Sequence, residues 1–511
     1  MKYAALILGV FLVLASTVSA EEYLETSCQS SLQDDLVNVV KVADWGGGPN
    51  IFVGTSVNGI VYNYAYIGSK CNTEWTALGS GGWSYNSEGT VKSIVVADLN
   101  KDGRKQVVIN SVKSNHPGSQ TPSEYVEVLT DNGLVDWNFN KECGLTHSVY
   151  AEDIDGTGKL NVVMGTQSSK VCVLKDDTKQ KDAVLWSYDT GKYPVQHVES
   201  ADLDGDGRIE TVALASKYGD AYVYVLSDTG NLVWEKQLVG GVYTAMIADN
   251  IIDVADVDAD GVKEIVVGTY EQGVLALNAD GTVKFSFDTG NIVSAVNAVG
   301  ADGVVFAGSA PNIYAVDSRG NAKWMWTADV DSTIYSLSAY DIDADGREEV
   351  AAGSTKFLYV LDDDGSLIGS WKYTIEVAGF TKKYEEREAD AKSVVMADVD
   401  SDGDTEVIAG WNWEQTTVRG NAYSSDIRVY EINKEYTPEA PSTTLSETPT
   451  TMVSETTLAP ATTMQAYETT TTMADEEDED GGGLCCLPML PAVLALGLAI
   501  VGKIPFAAVK H

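Results

Sequence analysis

Apolar residues in the middle of the chain come in short runs, and no long stretch repeats them with the 3.6-residue period of a helix. One kind of run is β-branched and closes on glycine, as in 264–268 (Glu-Ile-Val-Val-Gly) and 406–410 (Glu-Val-Ile-Ala-Gly). A second kind alternates, as in 221–226 (Ala-Tyr-Val-Tyr-Val-Leu) and 357–361 (Phe-Leu-Tyr-Val-Leu). Tight turns follow at 228–230 (Asp-Thr-Gly), 279–281 (Ala-Asp-Gly) and 363–365 (Asp-Asp-Gly). A run with a large aromatic residue closes each unit: Trp137, Trp186, Trp234, Phe285, Trp324 or Trp371. Short strands punctuated by Gly-containing turns predict β-hairpins, so the expected fold class is all-β.

These pieces repeat. The clearest unit begins at Ala201, and close relatives begin at Asp98, Asp153, Asp256, Asp341 and Asp398. Degenerate copies begin near Asp44 and near Ala298. The steps are roughly 40 to 57 residues, within the range of propeller blades. Three strands follow each Asp-rich loop, and the residues before it (198–201, Val-Glu-Ser-Ala) make a fourth. The pattern therefore predicts a β-propeller of about eight four-stranded blades, with seven as the alternative. The last repeat, around 426–436, lacks an aromatic closing strand. Segment 22–30 precedes the first repeat and can supply that strand, tying the two ends of the ring together.

The loops carry the candidate chemistry. Their pattern is Asp-x-Asp-x-Asp-Gly-x-x-Glu, in which alternate carboxylates of a tight turn converge on one cation. Glycine at position 6 permits the positive φ angle where the chain reverses. Four loops are complete: Asp202, Asp204, Asp206 and Glu210; Asp256, Asp258, Asp260 and Glu264; Asp341, Asp343, Asp345 and Glu349; Asp398, Asp400, Asp402 and Glu406. Backbone carbonyls at position 7 (Arg208, Val262, Arg347 and Asp404) add a further oxygen to each cage. Oxygen ligands in that number suit Ca²⁺ better than Mg²⁺. Two loops are weaker: Asp98, Asn100 and Asp102 end in Gln106, and Asp153, Asp155 and Thr157 end in Asn161. Four to six Ca²⁺ ions are expected. The copies near Asp44 and Asp302 lack the ligand set and are expected to be metal-free turns. An EF-hand is rejected, because it needs a bidentate Glu at position 12 and a helix beyond it. Position 12 here is Ala213, Val267, Ala352 or Ala409, inside a β-branched run. The competing reading makes the loops plain Asx-turns, which leaves the acid at position 9 unaccounted for.

Loops followed by Val-Gly-Thr (267–269) or Ala-Gly-Ser (352–354) resemble FG-GAP repeats, the calcium-binding blades of integrin α-subunit propellers. Segments 228–234 and 317–324 resemble the tryptophan-docking repeats of pyrroloquinoline-quinone-type propellers. Together the resemblance covers about 37–436. It implies the propeller fold and structural calcium, and it implies no activity, since propellers host many functions.

The ends change the picture from a soluble ring to an exported one. Residues 1–20 read as a secretory signal: Lys2, an apolar run over 4–14, and Val-Ser-Ala at 18–20 before Glu21. The propeller is expected over 21–436. Residues 437–483 are Thr- and Pro-rich with an acidic run at 475–480, the composition of an extended, disordered stalk. Residues 484–502 are apolar and long enough to span a bilayer as a transmembrane helix, with Lys503 and Lys510 beyond. This layout resembles archaeal surface-protein sorting signals, although Cys-Leu-Pro at 486–488 stands where that pattern has Cys-Gly-Pro. The tail 484–511 is thus a retained membrane anchor or a processed sorting signal. Cys28, Cys71, Cys143 and Cys172 lie in the globular part. They allow three pairings of two disulfides, or free thiols. Proximity favours Cys28 with Cys71 and Cys143 with Cys172.

A net charge of -41 argues against nucleic acid as a partner. No nucleophile–base pairing, zinc motif or phosphate loop stands out. His147 and His197 read as hydrogen-bonded wall residues, and Trp411 and Trp413 as blade packing more than a carbohydrate-binding face. The expected function is a surface-anchored adhesion or ligand-binding module for an extracellular protein or polysaccharide, not an enzyme. The alternatives are a surface-layer structural protein, a quinone-dependent dehydrogenase or a polysaccharide lyase.

Overall fold

The β-branched second strand of each repeat has apolar side chains pointing both ways, so both of its faces need cover. Asn161–Thr166 and Glu349–Ser354 are buried at every position. The computed structural model describes residues 24–432 apart from 34, 46–47, 58–59, 66–82, 88, 114–122, 140–142, 176–182, 218, 244–250, 301–302, 330–331, 378–384 and 418–419. Among the described residues there is no helix, and strands form eight four-stranded antiparallel sheets and one two-stranded hairpin. Blades 1 to 7 span 37–86, 90–139, 146–189, 195–238, 252–287, 295–327 and 334–372. Each is a simple meander in chain order. Blade 8 takes three strands from 390–432 and its fourth from Leu24–Gln33. That strand pairs antiparallel with Gly420–Ile432, from Leu24 opposite Ile432 to Gln33 opposite Ser424. The eight-blade count and the closure by the amino-terminal segment are both as expected from the repeat.

The core is not one mass but eight interfaces, each shared by consecutive blades. Val212, Leu214 and Val225 of blade 4 meet Ile252, Ile265 and Leu275 of blade 5. The closing interface sets Leu32, Ile427 and Val429 of blade 8 against Val37, Ile51 and Val53 of blade 1. The glycine that ends the second strand is fixed by this packing. A Cβ at Gly268 would lie 2.6 Å from Val293 Cγ1, and one at Gly410 would lie 2.5 Å from Val37 Cγ1.

In blades 1, 3, 4, 5 and 6 the closing aromatic locks the outer strand to the next blade. Trp83, Trp186, Trp234 and Trp324 donate their indole N–H to the carbonyls of Asp131, Asp228, Ala279 and Asp363 at 2.7–3.0 Å. Each ring covers the turn glycine two residues further on: Gly133, Gly230, Gly281 or Gly365. Phe285 covers Gly320 in the same way without an N–H to donate. Blade 7 departs from the expected pattern. The residue in the docking register is Gly369, and Trp371 stands two places further, opposite Leu358. The reason is topological. The third and fourth strands of blade 8 come from opposite ends of the chain, so no turn joins them for a docking tryptophan to cap. Trp371 packs instead on Tyr430 at 5.4 Å, and its Nε1 is buried without a partner.

Cys143 and Cys172 form a disulfide, as proximity favoured. Cys71 and the segments 1–23 and 433–511 lie outside the described residues, and with them the expected leader, stalk, tail and second disulfide. Two substitutions separate docking from mere burial. Trp234→Phe loses a partly buried hydrogen bond and should cost about 1 kcal/mol in urea unfolding. Trp371→Phe loses none and should cost less. Gly268→Val should cost about 1–3 kcal/mol through overpacking against Val293.

Candidate metal centres and the central channel

The Asp-rich loops join the first and second strands of six blades and share one hydrogen-bond scaffold. The position-1 carboxylate accepts backbone N–H groups from further along the loop. Asp202 accepts from Gly205 and Gly207 at 2.8 and 2.9 Å, and Asp341 accepts from Asp345 and Gly346 at 3.1 and 3.0 Å. The position-9 side chain closes the loop by accepting from the position-2 N–H. The pairs are Glu210 with Leu203, Glu264 with Val257, Glu349 with Ile342 and Glu406 with Val399, at 2.7–3.1 Å. Gln106 and Asn161 make the same bond in blades 2 and 3, to Leu99 and Ile154. Position 9 is therefore a loop closure as well as a candidate ligand, and an amide serves the first role without the charge. Two residues per loop are left-handed. Position 6 is always Gly, with φ near +90° as at Gly261 and Gly403. Position 4 is left-handed too, even as Ala259, Ala344 or Ser401. Pattern reading missed that second position, because no glycine marks it there.

The four complete loops bring carboxylate oxygens within 4.8 Å of one another, and they choose different members. Blades 4 and 5 group the three aspartates, Asp202, Asp204 and Asp206, and Asp256, Asp258 and Asp260. Blade 7 groups Asp341, Asp343 and Glu349, and blade 8 groups Asp398, Asp400 and Glu406. Asp345 lies outside its group and pairs with the Arg347 guanidinium, which also meets Asp363. Asp404 donates its backbone N–H to Asp402 at 2.9 Å, as Arg208 and Val262 do to Asp206 and Asp260 at 2.8 Å. In blade 7, Asp362 and Asp363 from the turn between the third and fourth strands also approach Glu349. The sequence signal for these two was the Asp-Asp-Asp-Gly run at 362–365, which reads as a turn until the fold sets it beside the loop. The weaker loops of blades 2 and 3 form no such group among the described residues: Asn100 and Thr157 supply no carboxylate, and Arg104 pairs with Asp102 at 2.9 Å. Asp302 is outside the described residues, and the blade 1 connection at Asp44 turns back through Gly48 to Pro49.

Crowding leaves a charge problem. Burial, and then Asp343, Asp362 and Asp341, push the Glu349 carboxyl up from its ordinary 4.5 to about 8. Burial, and then Asp400, Asp402 and Asp398, do the same to Glu406. Asp398 Oδ1 is buried and accepts no hydrogen bond. In blade 5 the load is lighter, because the Lys284 ammonium bonds Asp258 and Glu264.

The innermost strands enclose a central channel of about 470 Å³. Six of them carry a β-bulge near the start, and the extra residues are Asn38, Lys92, His147, Gln196, Tyr335 and Lys392. Bulge side chains of neighbouring blades touch: His147 Nδ1 lies 3.0 Å from Gln196 Oε1, and Lys392 Nζ sits 3.3 Å from the Tyr335 ring centroid. Burial, with Lys92 nearby, depresses His147 to about 4. Deeper in the channel, Asp253 accepts from the backbone N–H groups of Val254 and Ala298 and from Asn297 Nδ2. Burial and Glu199 raise its carboxyl to about 6. Trp411 is fully buried, which places it in blade packing and not on a sugar-binding face.

An FG-GAP-like repeat matches residues 202–267, the loops of blades 4 and 5 with the strands between them. No curated protein sequence matches the chain. Several solved structures do match. BamB from Moraxella catarrhalis is 16% identical, with 81% of this chain and 99% of that chain covered at a TM-score of 0.47. Sqt1 from Chaetomium thermophilum is 12% identical, covering 80% and 100% at 0.51. The WD40 β-propeller domain of Doa1 is 11% identical, covering 81% and 98% at 0.41. At these identities the likeness concerns the fold alone.

The raised acids give a pH prediction for metal-free protein. Glu349 and Glu406 bind a proton more tightly folded than unfolded, so their contribution to stability is full below about 4.5 and is lost as pH rises to about 8. In chelator, the melting temperature should fall across that window, and Glu349→Gln together with Glu406→Gln should flatten the fall. The repeat, the blade architecture and the loop scaffold agree: this chain is an eight-bladed β-propeller in which residues 202–267 match an FG-GAP-like repeat.

Proposed function

We propose that the propeller is a calcium-stabilised binding module displayed at the cell surface, where it takes an extracellular protein or polysaccharide as partner. The observation that carries the calcium reading is the convergence of carboxylates in equivalent loops of blades 4, 7 and 8, with Asp398 Oδ1 buried and unpartnered inside one of them. Oxygen donors of that kind fit a hard cation. Asp202, Asp204, Asp206 and Glu210, then Asp341, Asp343 and Glu349, then Asp398, Asp400 and Glu406 would hold the ions. Bound calcium would neutralise each cluster and pin the link between the first two strands of a blade. With affinities on the order of 10⁻⁴–10⁻³ M, as in extracellular modules, each ion adds roughly 1 kcal/mol at millimolar calcium.

Display rests on the sequence at 1–20 and 437–511. A rigid ring with variable loops, raised on a stalk, suits binding more than catalysis. The channel supports the same reading. Asp253 has its oxygens engaged by backbone and Asn297, and His147 is held by Gln196.

Glu406→Gln tests the metal reading against plain loop closure. Glutamine keeps the bond to Val399, as Gln106 does to Leu99. Under the calcium reading the variant melts at or above wild type in chelator and gains less when millimolar calcium is added. Equal calcium responses, or none in either protein, would reduce the loops to turns. A glycan and surface-protein binding screen on the calcium-loaded protein then tests the partner class.

A further inference from the structure

We infer that Lys284 is the built-in cation of the blade 5 loop, so that Asp256, Asp258, Asp260 and Glu264 fold around an ammonium and take no calcium. The inference rests on the calcium reading of the other complete loops and separates this one from them. Lys284 stands on the fourth strand of blade 5, one residue before the docked Phe285. Its ammonium reaches Asp258 at position 3 and Glu264 Oε1 at 2.9 Å, while Glu264 Oε2 closes the loop on Val257. The Lys284 side chain is 15% exposed and that of Glu264 1%. Two acids of the cage are therefore already spent on a positive charge that is itself largely buried. A calcium ion would have to expel the ammonium and find six to eight oxygens in a loop that has lost two. A largely buried ammonium stripped of its partners resists that exchange.

Blade 4 shows what the same place looks like without the lysine. The residue before its docked aromatic is Val233, since Trp234 lies opposite Val225 as Phe285 lies opposite Ala276. There a cavity of about 210 Å³ is lined by Val233 together with Asp204, Asp206, Glu210 and Arg208, and no ion pair joins Arg208 to these acids among the described residues. In blade 7 the equivalent residue is Ile368, before Gly369 opposite Val360. Arg347 in that blade does not replace Lys284, because it pairs with Asp345 and Asp363 and leaves Asp341, Asp343 and Glu349 together. Sequence pattern cannot separate the blade 5 loop from the others, because Lys284 is twenty residues beyond Glu264.

Calcium counting on the full-length protein tests the assignment, by elemental analysis after equilibrium dialysis and by calorimetry. Lys284→Val, which copies blade 4, should bind one ion more than wild type, and adding Asp258→Asn should remove that extra ion. Asp258→Asn alone should leave the wild-type count unchanged, and this exposed substitution serves if Lys284→Val fails to fold. Equal non-zero counts for wild type and Lys284→Val, or one ion lost from Asp258→Asn alone, would overturn the inference while leaving the calcium reading intact. No ions in any of the proteins would overturn both.

Discussion

A four-stranded sheet with apolar residues on both faces has no stable existence by itself. Each blade here needs a neighbour on either side, and a row of such blades ends in two bare faces unless it closes. Closure is therefore the constraint on which the rest depends. It explains why the core is eight interfaces, why Leu32 of the first strand packs among Ile427 and Val429, and why the first strand completes the last blade. It also explains the one place where the docking pattern breaks. The seam between the chain ends offers no turn to cap, so blade 7 carries Gly369 in the docking register and Trp371 loses its acceptor.

The loops sit where that ring can bear their charge. The first-to-second-strand connections and the third-to-fourth-strand turns of a meander emerge at the same end. Asp362 and Asp363 can thus join the blade 7 loop, and Lys284 can enter the blade 5 loop. The hydrogen-bond scaffold is common to all six loops and does not need the negative charge, as Gln106 and Asn161 demonstrate. Charge beyond that need is what distinguishes the complete loops, and their grouped carboxylates could hold a cation. Adjacent loops are also stitched together, Lys263 N–H to the Leu203 carbonyl and Leu160 N–H to the Leu99 carbonyl, both at 2.8 Å. A change in one loop of such a pair is therefore felt by its neighbour.

The sequence by itself determined the all-β class, the repeat, the blade number, the closing strand and the place of the Asp-rich loops. Each of these is written in local spacing: period-2 runs, Gly-marked turns, alternate aspartates. It also determined which loops fall short of the full acid set, through Asn100 with Gln106 and Thr157 with Asn161. Tertiary structure alone decided which carboxylates meet and what balances them. Lys284, Asp362 and Asp363 reach the loops from elsewhere in their blades, at distances along the chain that no local motif records. The left-handed backbone at Ala259, Ala344 and Ser401 was likewise hidden, because the residues carry no mark of a conformation that the loop's hydrogen bonds impose. Local patterns fix what a strand or turn is. Charge neutralisation is a property of space, and space is set only when the sheet has folded back on itself.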